Sequence, residues 1–212
     1  MDFNSERMAL LAIDLQVGFC APDGSVARRG RDTTMLQAAA KKSGELVAHV
    51  RNAGIPIIWT QMTLRPDYKD GGLLTDVYKP KIAAGGGLQR GTKDVDLLPG
   101  LDVRAEDFIV DKPRNSAFYA STLEAILRAR RIESLLVCGV TTAMCVECSV
   151  RDAFQRDYAT FVVADCVGEY NPERHRNALS AMAYGFGNVL SWEQTLAGLQ
   201  RGRFTLAPGT TD

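Results

Sequence analysis

Short runs of uninterrupted apolar residues recur along this chain, and most are followed by a segment with helical spacing. Met8–Ile13, Ile55–Thr60, Phe108–Val110, Ser134–Val140, Thr160–Ala164 and Asn188–Leu190 read as six strands. A strand that is apolar at successive positions has no face to offer to water. It must be buried on both sides, as in a parallel sheet covered by helices. The spacing predicts a helix over Thr34–Arg51, with Leu36, Ala39, Ala40, Leu46, Val47 and Val50 on one face. Others are expected from Ser121, bearing Leu123, Ile126 and Leu127, and over about Ala143–Arg156, burying Val146, Val150, Ala153 and Phe154. Asn171 and Pro172 fit an N-cap and first helical residue, opening a helix to about Gly185. A final helix follows Ser191. Thr34 with Gln37, Ser121 with Glu124 and Ser191 with Gln194 have capping-box spacing. Strand–helix alternation over the whole length predicts one α/β domain spanning 1–212, with its core over about 8–200. The expected architecture is a doubly wound three-layer sandwich on a six-stranded, mainly parallel sheet.

Composition excludes several classes. The chain has 212 residues, of which 46% are hydrophobic and 24% charged, enough apolar surface to build a core. Its 25 basic and 25 acidic residues cancel, which argues against a nucleic-acid partner. No apolar run approaches the length of a membrane helix, and the stretch after the charged N-terminus ends at Asp14. A cytoplasmic location without membrane partners is therefore expected. Five cysteines make an odd count and suit free thiols in a reducing compartment.

One segment breaks the rhythm. Residues Gln61 to Asp107 lack periodicity and hold Pro66, Pro80, Pro99, Gly71–Gly72 and the triplet Gly85–Gly87. A loop this long in a compact domain is expected to act as a lid or an interface, although a plain solvated insertion would look alike. From Gly202 onward a loose tail is expected.

In a doubly wound sheet, ligands bind beyond the carboxyl ends of the strands, so the residues there carry most information. Asp14 follows the first strand and reads either as a loop cap or as a base. Lys112 follows the third and reads as an edge charge or a site cation. The fourth runs into Gly139-Val140-Thr141-Thr142-Ala143-Met144-Cys145, a small-residue turn with a cysteine in the first turn of a helix. Free N–H groups there favour negative charge, which would lower the thiol pKa and could hold a developing oxyanion. Cys145 is then a nucleophile or an inert packed thiol. With Cys148 it also spells a Cys-x-x-Cys, so a thiol–disulfide function is a rival. Zinc would need further Cys or His ligands, and His49 and His175 both fall within expected helices. No Walker-type or Gly-x-Gly-x-x-Gly motif suggests a nucleotide.

Taken together, three stretches resemble the isochorismatase-like cysteine hydrolases. They are Ala-Leu-Leu-Ala-Ile-Asp14-Leu-Gln, Val110-Asp111-Lys112-Pro-Arg-Asn-Ser116-Ala117-Phe118, and Gly139-Val-Thr-Thr-Ala-Met-Cys145-Val-Glu-Cys-Ser-Val-Arg151-Asp152-Ala153. The resemblance spans roughly residues 8 to 192. It implies a triad of Asp14, Lys112 and Cys145. It also implies a cis Val140–Thr141 peptide and an oxyanion hole from the backbone N–H groups of Thr141 and Cys145. The family's oligomeric habit further implies a homodimer or homotetramer.

Within that resemblance, the stretch after the second strand, Thr60-Gln61-Met62-Thr63-Leu64-Arg65-Pro66-Asp67, contains no histidine. The metal site of the nicotinamidase branch is therefore missing, and neither metal nor cofactor is expected. Cys145 disfavours the branch that cleaves vinyl ethers. The resemblance then points to the metal-free amidases of small carbamoyl, ureido or biuret-like compounds. Phe19, Gln61, Arg65 and Arg114 are the candidates for binding such a small molecule.

Overall fold

The computed structural model describes residues 1–209. Its strands are β1 (Asp2–Asn4), β2 (Met8–Ile13), β3 (Ile57–Met62), β4 (Phe108–Lys112), β5 (Ser134–Val140), β6 (Ala159–Gly168), β7 (Asn188–Leu190) and β8 (Arg203–Thr205). Its helices are α1 (Val17–Cys20), α2 (Ser25–Arg28), α3 (Thr34–Asn52), α4 (Lys81–Ala84), α5 (Leu123–Ala129), α6 (Glu147–Phe154), α7 (Pro172–Gly185) and α8 (Trp192–Arg201). Six strands form one sheet in the order β4-β3-β2-β5-β6-β7. Every pairing in it is parallel, so the sheet is wholly rather than mainly so.

The central strands explain the architecture. Every residue of β2 and of β5 is buried, as their unbroken apolar runs require. Helix α3 lies across β5 and β6 and carries α8 with it, while α6 and α7 pack together against β6 and β7. The order reverses direction between β2 and β5, which places the topological switch point there.

Several boundaries differ from the sequence expectation for physical reasons. The second strand starts at Ile57, because Pro56 has no N–H to give to a ladder. It runs on through Met62, which pairs with Lys112. The first cap moves back one residue: Gln37 Nε2 donates to Thr33 Oγ1 at 2.8 Å, and the Thr34 N–H goes to Asp32. At α5, Ser121 serves Leu123 N–H and the Ala117 carbonyl, not a box with Glu124. The box at Ser191 and Gln194 forms in full. Phe154 faces outward, edge-on to Phe186.

The chain after Gly202 is not loose where it is described. Arg203–Thr205 pairs antiparallel with Asp2–Asn4 and seats Phe204 in the core against Phe161, ring centroids 5.2 Å apart. A three-residue strand is too short to show periodicity. The remainder of the expected tail, 210–212, lies outside the described residues.

The segment from Gln61 to Asp107 is packed down by buried polar anchors. Asp107 accepts from Trp59 Nε1 at 2.9 Å and from Arg51 at 2.9 and 2.6 Å. Buried Gln16 donates to the carbonyls of Met62 (3.1 Å) and Val95 (2.9 Å) and accepts from Met62 N–H (2.8 Å). Buried Asp94 accepts from Ser25 N–H (2.9 Å), Ser25 Oγ (2.7 Å) and Leu88 N–H (2.6 Å). These contacts press the segment onto α1 and α2, which follow Asp14. No helix among the described residues is long and apolar enough to cross a membrane.

The β1–β8 pair supplies the first stability test. Phe204→Ala removes a fully packed aromatic ring and is expected to cost about 3–5 kcal/mol in urea denaturation. A loss below about 1 kcal/mol would show that the terminal pair contributes little.

Candidate active site

The chain reverses direction across β2 and β5, and the site forms where those two strands end. Gly139 sits in β5 beside Ile13 with φ +118°. A Cβ there would lie 2.0 Å from the Ile13 carbonyl oxygen, so only glycine lets the two strand ends meet. On the β2 side the chain leaves through Asp14, whose φ of 51° is unusual for a residue with a side chain. Thr60 on β3 holds it there. Its hydroxyl accepts from Asp14 N–H at 3.2 Å and donates to Asp14 Oδ1 at 2.6 Å.

Lys112, at the end of β4, reaches Asp14 from the other side of β3. Its Nζ lies 2.7 Å from Asp14 Oδ2, and neither side chain is exposed to water. The ammonium also donates to the Arg114 carbonyl at 3.0 Å. Burial works against the Lys112 charge, but the Asp14 carboxylate and the neighbouring Cys145 sulfur outweigh it. The net direction for Lys112 is upward, toward a permanent ammonium.

Cys145 stands on the wide helical turn Thr142–Val146 between β5 and α6. The Val140–Thr141 peptide before it is cis. In this turn Met144 and Val146 N–H bond the Thr141 carbonyl, and Ala143 N–H bonds Glu169 Oε2 at 3.2 Å. Asn115 Oδ1 is 4.0 Å from Cys145 Sγ. Burial pushes the Cys145 thiol up to about 12, with Lys112 pulling down and Asp14 pushing up. The expectation of a lowered thiol pKa is therefore overturned. The helix N-terminus does not make up for taking a thiolate out of water at a residue only 3% exposed.

The Ser-Ala-Phe stretch after Lys112 turns out to be a clasp. Ser116 Oγ donates to Asp152 on α6, Ala117 N–H donates to Ser149 Oγ at 2.9 Å, and Ser149 Oγ donates to the Cys145 carbonyl at 2.6 Å. The loop that follows Lys112 and carries Asn115 is thus fixed to α6 and, through Ser149, to the turn carrying Cys145.

The structure brings Asp14, Lys112 and Cys145 together, with Thr141 beside them. The other candidates fare differently. Arg65 is turned to solvent, 57% exposed, and paired with Asp67 at 2.9 Å. Arg114 is occupied by the carbonyls of Asp70 (2.7 Å) and Pro113 (2.8 Å). Gln61 donates to the Val95 carbonyl at 2.7 Å, so it ties the long segment down. Phe19 is buried in the core cluster at the start of that region. Cys148 is the more exposed cysteine of the pair, not the buried one. Sequence reading missed Thr60, Gln16, Asn115 and Glu169. Of these only Thr60 carried a signal, as a polar residue ending an apolar strand.

A buried acid–base pair beside a thiol, at the switch point of a doubly wound sheet, defines the class: a site suited to covalent hydrolysis. Comparison with known proteins gives the family. The Isochorismatase domain matches residues 8–194, and the chain belongs to the isochorismatase family. It is 32% identical to the ureidoacrylate amidohydrolase RutB of Methylobacterium radiotolerans, over 88% of this chain and 78% of that protein. It is 30% identical to RutB of Azorhizobium caulinodans, over 96% and 93%. Among solved structures, a cysteine hydrolase from Pseudomonas syringae pv. phaseolicola superposes with a TM-score of 0.85 at 26% identity, covering 94% of this chain and 95% of that one. The N-carbamoylsarcosine amidase of Thermoplasma acidophilum shares the fold, with a TM-score of 0.70 at 22% identity over 87% and 96%. The chain is accordingly a hydrolase of the amidase kind.

A resting thiol with a pKa near 12 has a kinetic signature. In a Cys148→Ser background, alkylation of Cys145 by iodoacetamide should accelerate about tenfold per pH unit from about pH 7 to 10. A plateau reached below about pH 8 would mean that the thiolate is already formed at rest.

Proposed function

We propose that this protein hydrolyses a C–N bond in a small ureido or carbamoyl compound, releasing ammonia, with Cys145 as nucleophile. The observation that carries the reading is the fully buried Asp14–Lys112 pair at 2.7 Å beside the Cys145 thiol. The similarity to ureidoacrylate amidohydrolases supports a substrate of that kind.

In this reading Asp14 takes the thiol proton as Sγ attacks the terminal carbamoyl carbon. Proton removal and attack go together, since the free thiolate is costly in this buried place. The backbone N–H groups of Thr141 and Cys145 receive the developing oxyanion. Asp14 passes the proton to the departing nitrogen, the C–N bond breaks, and ammonia leaves. The acyl group remains on sulfur as a thioester-type adduct. Asp14 then takes a proton from water, the hydroxide adds to the same carbon, and the C–S bond breaks with the proton returning to sulfur. Lys112 stays charged throughout, keeping Asp14 an acceptor and damping charge on sulfur. The donor set at the end of β3, Gln61, Met62 and Thr63, offers a metal no histidine, and no step of this cycle calls for one.

The rival redox reading has less support. A thiol–disulfide motif works through a readily formed thiolate, whereas burial raises both Cys145 and Cys148. All five cysteines are free thiols, which suits action in the cytoplasm. We also propose that the segment 61–107 makes a subunit contact, since Leu73, Val77 and Tyr78 expose large apolar side chains there. Light scattering should give a mass above that of one chain.

The decisive assay is ammonia release from a panel of N-carbamoyl amino acids, ureidoacrylate, biuret and triuret. These should exceed nicotinamide by at least about tenfold in kcat/KM. Nicotinamide as the best substrate would refute the branch, and pyruvate release from isochorismate would refute the reaction. Cys145→Ala should lose at least about a thousandfold, while Cys148→Ala keeps activity. Extended dialysis against a chelator should leave the rate unchanged.

The ion pair gives a second test. Lys112→Met strands a buried carboxylate and should cost about 3–5 kcal/mol of stability as well as activity. Adding Asp14→Asn should restore most of the stability and none of the activity. Recovery of activity in the double variant would exclude Asp14 as the proton carrier.

A further inference from the structure

Asn115 lies three residues past Lys112, between two fixed neighbours. On one side the Lys112 ammonium donates to the Arg114 carbonyl at 3.0 Å. On the other, Ser116 Oγ is tied to Asp152, and Ala117 N–H donates to Ser149 Oγ, which itself donates to the Cys145 carbonyl at 2.6 Å. The backbone at Asn115 is therefore held from Lys112 before it and from the nucleophile turn after it. Its half-buried side chain turns Oδ1 toward the Cys145 thiol, 4.0 Å from Sγ. Among the described residues the carboxamide enters no other hydrogen bond. Gln61, Arg65 and Arg114 are committed to protein partners, whereas this group meets only the reacting sulfur.

At rest the two groups suit each other. Burial holds the thiol at about 12, so sulfur carries a proton, and an amide oxygen is an acceptor for it. Attack removes that proton and leaves Oδ1 without a donor. An acceptor enclosed by bound substrate costs free energy unless the substrate itself supplies an N–H.

The directions around the attacked carbon say which N–H that is. Once bonded to sulfur, this carbon has three other substituents. In the cycle proposed above, its oxygen goes to the Thr141 and Cys145 N–H groups and its leaving nitrogen goes to Asp14. The third substituent stays on the carbon when ammonia departs. It is left for the wall formed by the loop after Lys112, where Asn115 stands. An atom on that carbon lies two bonds from sulfur, within hydrogen-bonding reach of an oxygen 4.0 Å from Sγ.

We infer that Asn115 Oδ1 accepts the N–H on the retained side of the attacked carbon, and so selects for a hydrogen on that nitrogen. The inference rests on the C–N hydrolysis reading above and assigns its specificity to one atom. A methylene or an N-methyl group in that place leaves Oδ1 facing carbon and unpaired. N-carbamoylglycine therefore ranks above succinamate, its isostere with CH2 for NH. It also ranks above N-carbamoylsarcosine, whose retained nitrogen bears a methyl group instead of hydrogen.

The test reads ratios between substrates. In wild type, N-carbamoylglycine should exceed succinamate at least about tenfold in kcat/KM. Asn115→Leu, similar in volume but without an acceptor, should lower that ratio about tenfold. Asn115→Asp keeps an oxygen in place and should hold the preference, while its added negative charge lowers both rates. Melting curves check that each variant folds, and Asn115→Ala replaces the leucine variant where leucine disturbs the packing. A merely structural role would lower both substrates alike, and an unchanged ratio in the acceptor-free variant overturns the assignment. In a Cys145→Ala protein, calorimetry with the same two compounds reads binding without turnover. Failure to distinguish them, by rate in wild type and by binding in Cys145→Ala, overturns it as well. The two readings fail separately. An Asn115-dependent binding preference for N-carbamoylglycine, with no ammonia released from any substrate, sinks the amidase reading alone. Ammonia release with the same ratio in wild type and Asn115→Leu sinks the Asn115 assignment alone.

Discussion

Two opposite charges removed from water and held 2.7 Å apart are what the rest of this site is arranged to support. Such a pair is rarely a net gain in stability, because desolvating each ion costs several kcal/mol and mutual attraction roughly offsets it. It persists only where geometry is fixed from outside. Here β2 delivers Asp14, β3 holds it through Thr60, and β4 delivers Lys112 in register with Met62. Gly139 lets β5 close against the end of β2, so that the thiol turn begins within reach of both charges. Three strands and a neighbour of a fourth are thus committed to one ion pair, and the wholly parallel order of the sheet is what aligns their carboxyl ends.

Burial is what keeps the thiol protonated at rest, with Asp14 pushing the same way and Lys112 opposing it. Sequence position alone suggests an activated thiolate, since Cys145 falls in the first turn of an expected helix. The site instead stores its charge on Asp14 and Lys112 and keeps sulfur neutral, its pKa pushed to about 12 by burial. A thiolate would add a second anion beside Asp14 in a water-poor space. Keeping the proton on sulfur at rest avoids that repulsion, and in the proposed cycle its transfer to Asp14 as sulfur attacks would hold the site to one negative charge near Lys112.

The fold was legible because unbroken apolar strands can only be buried on both faces. β5 and β7 fall where their composition places them. Strand ends were less legible, since Pro56 delayed β3 while polar Gln61, Asp111 and Lys112 still joined the ladder. The triad residues were legible as polar residues closing apolar runs, but their coupling was not, because 98 residues of sequence separate Asp14 from Lys112. The substrate candidates raise a different point. Gln61, Arg65 and Arg114 lie near strand ends, yet Gln61 Nε2, the Arg65 fork and Arg114 Nη1 already have partners in Val95, Asp67 and Asp70. Proximity to a site does not reveal whether a donor is free. Arg29, whose buried Nη1 has no partner, lies in a stretch without motif or periodicity and carried no sign of this in the sequence.

That contrast between satisfied and unsatisfied donors gives the long segment its meaning. Residues 61–107 are held down by Gln16, Asp94 and Asp107, each with two or more strong hydrogen bonds, and are shaped by glycines at the one place where they cross Arg29. An insertion kept only as a solvated loop would not require buried polar anchors at Met62, Asp94 and Asp107. The catalytic groups are closed to water as described, with Asp14 and Lys112 unexposed. The polar anchors at Gln16 and Asp94 fix the segment to α1 and α2, which follow Asp14, so the long segment and the Asp14 carboxylate share one support. The stretch between Tyr68 and Leu88 lies between those fixed points, over the unpaired guanidinium. Tyr68 donates to the Gly87 carbonyl at 2.9 Å and so braces that stretch from within, which leaves its path set by its own residues and not by water.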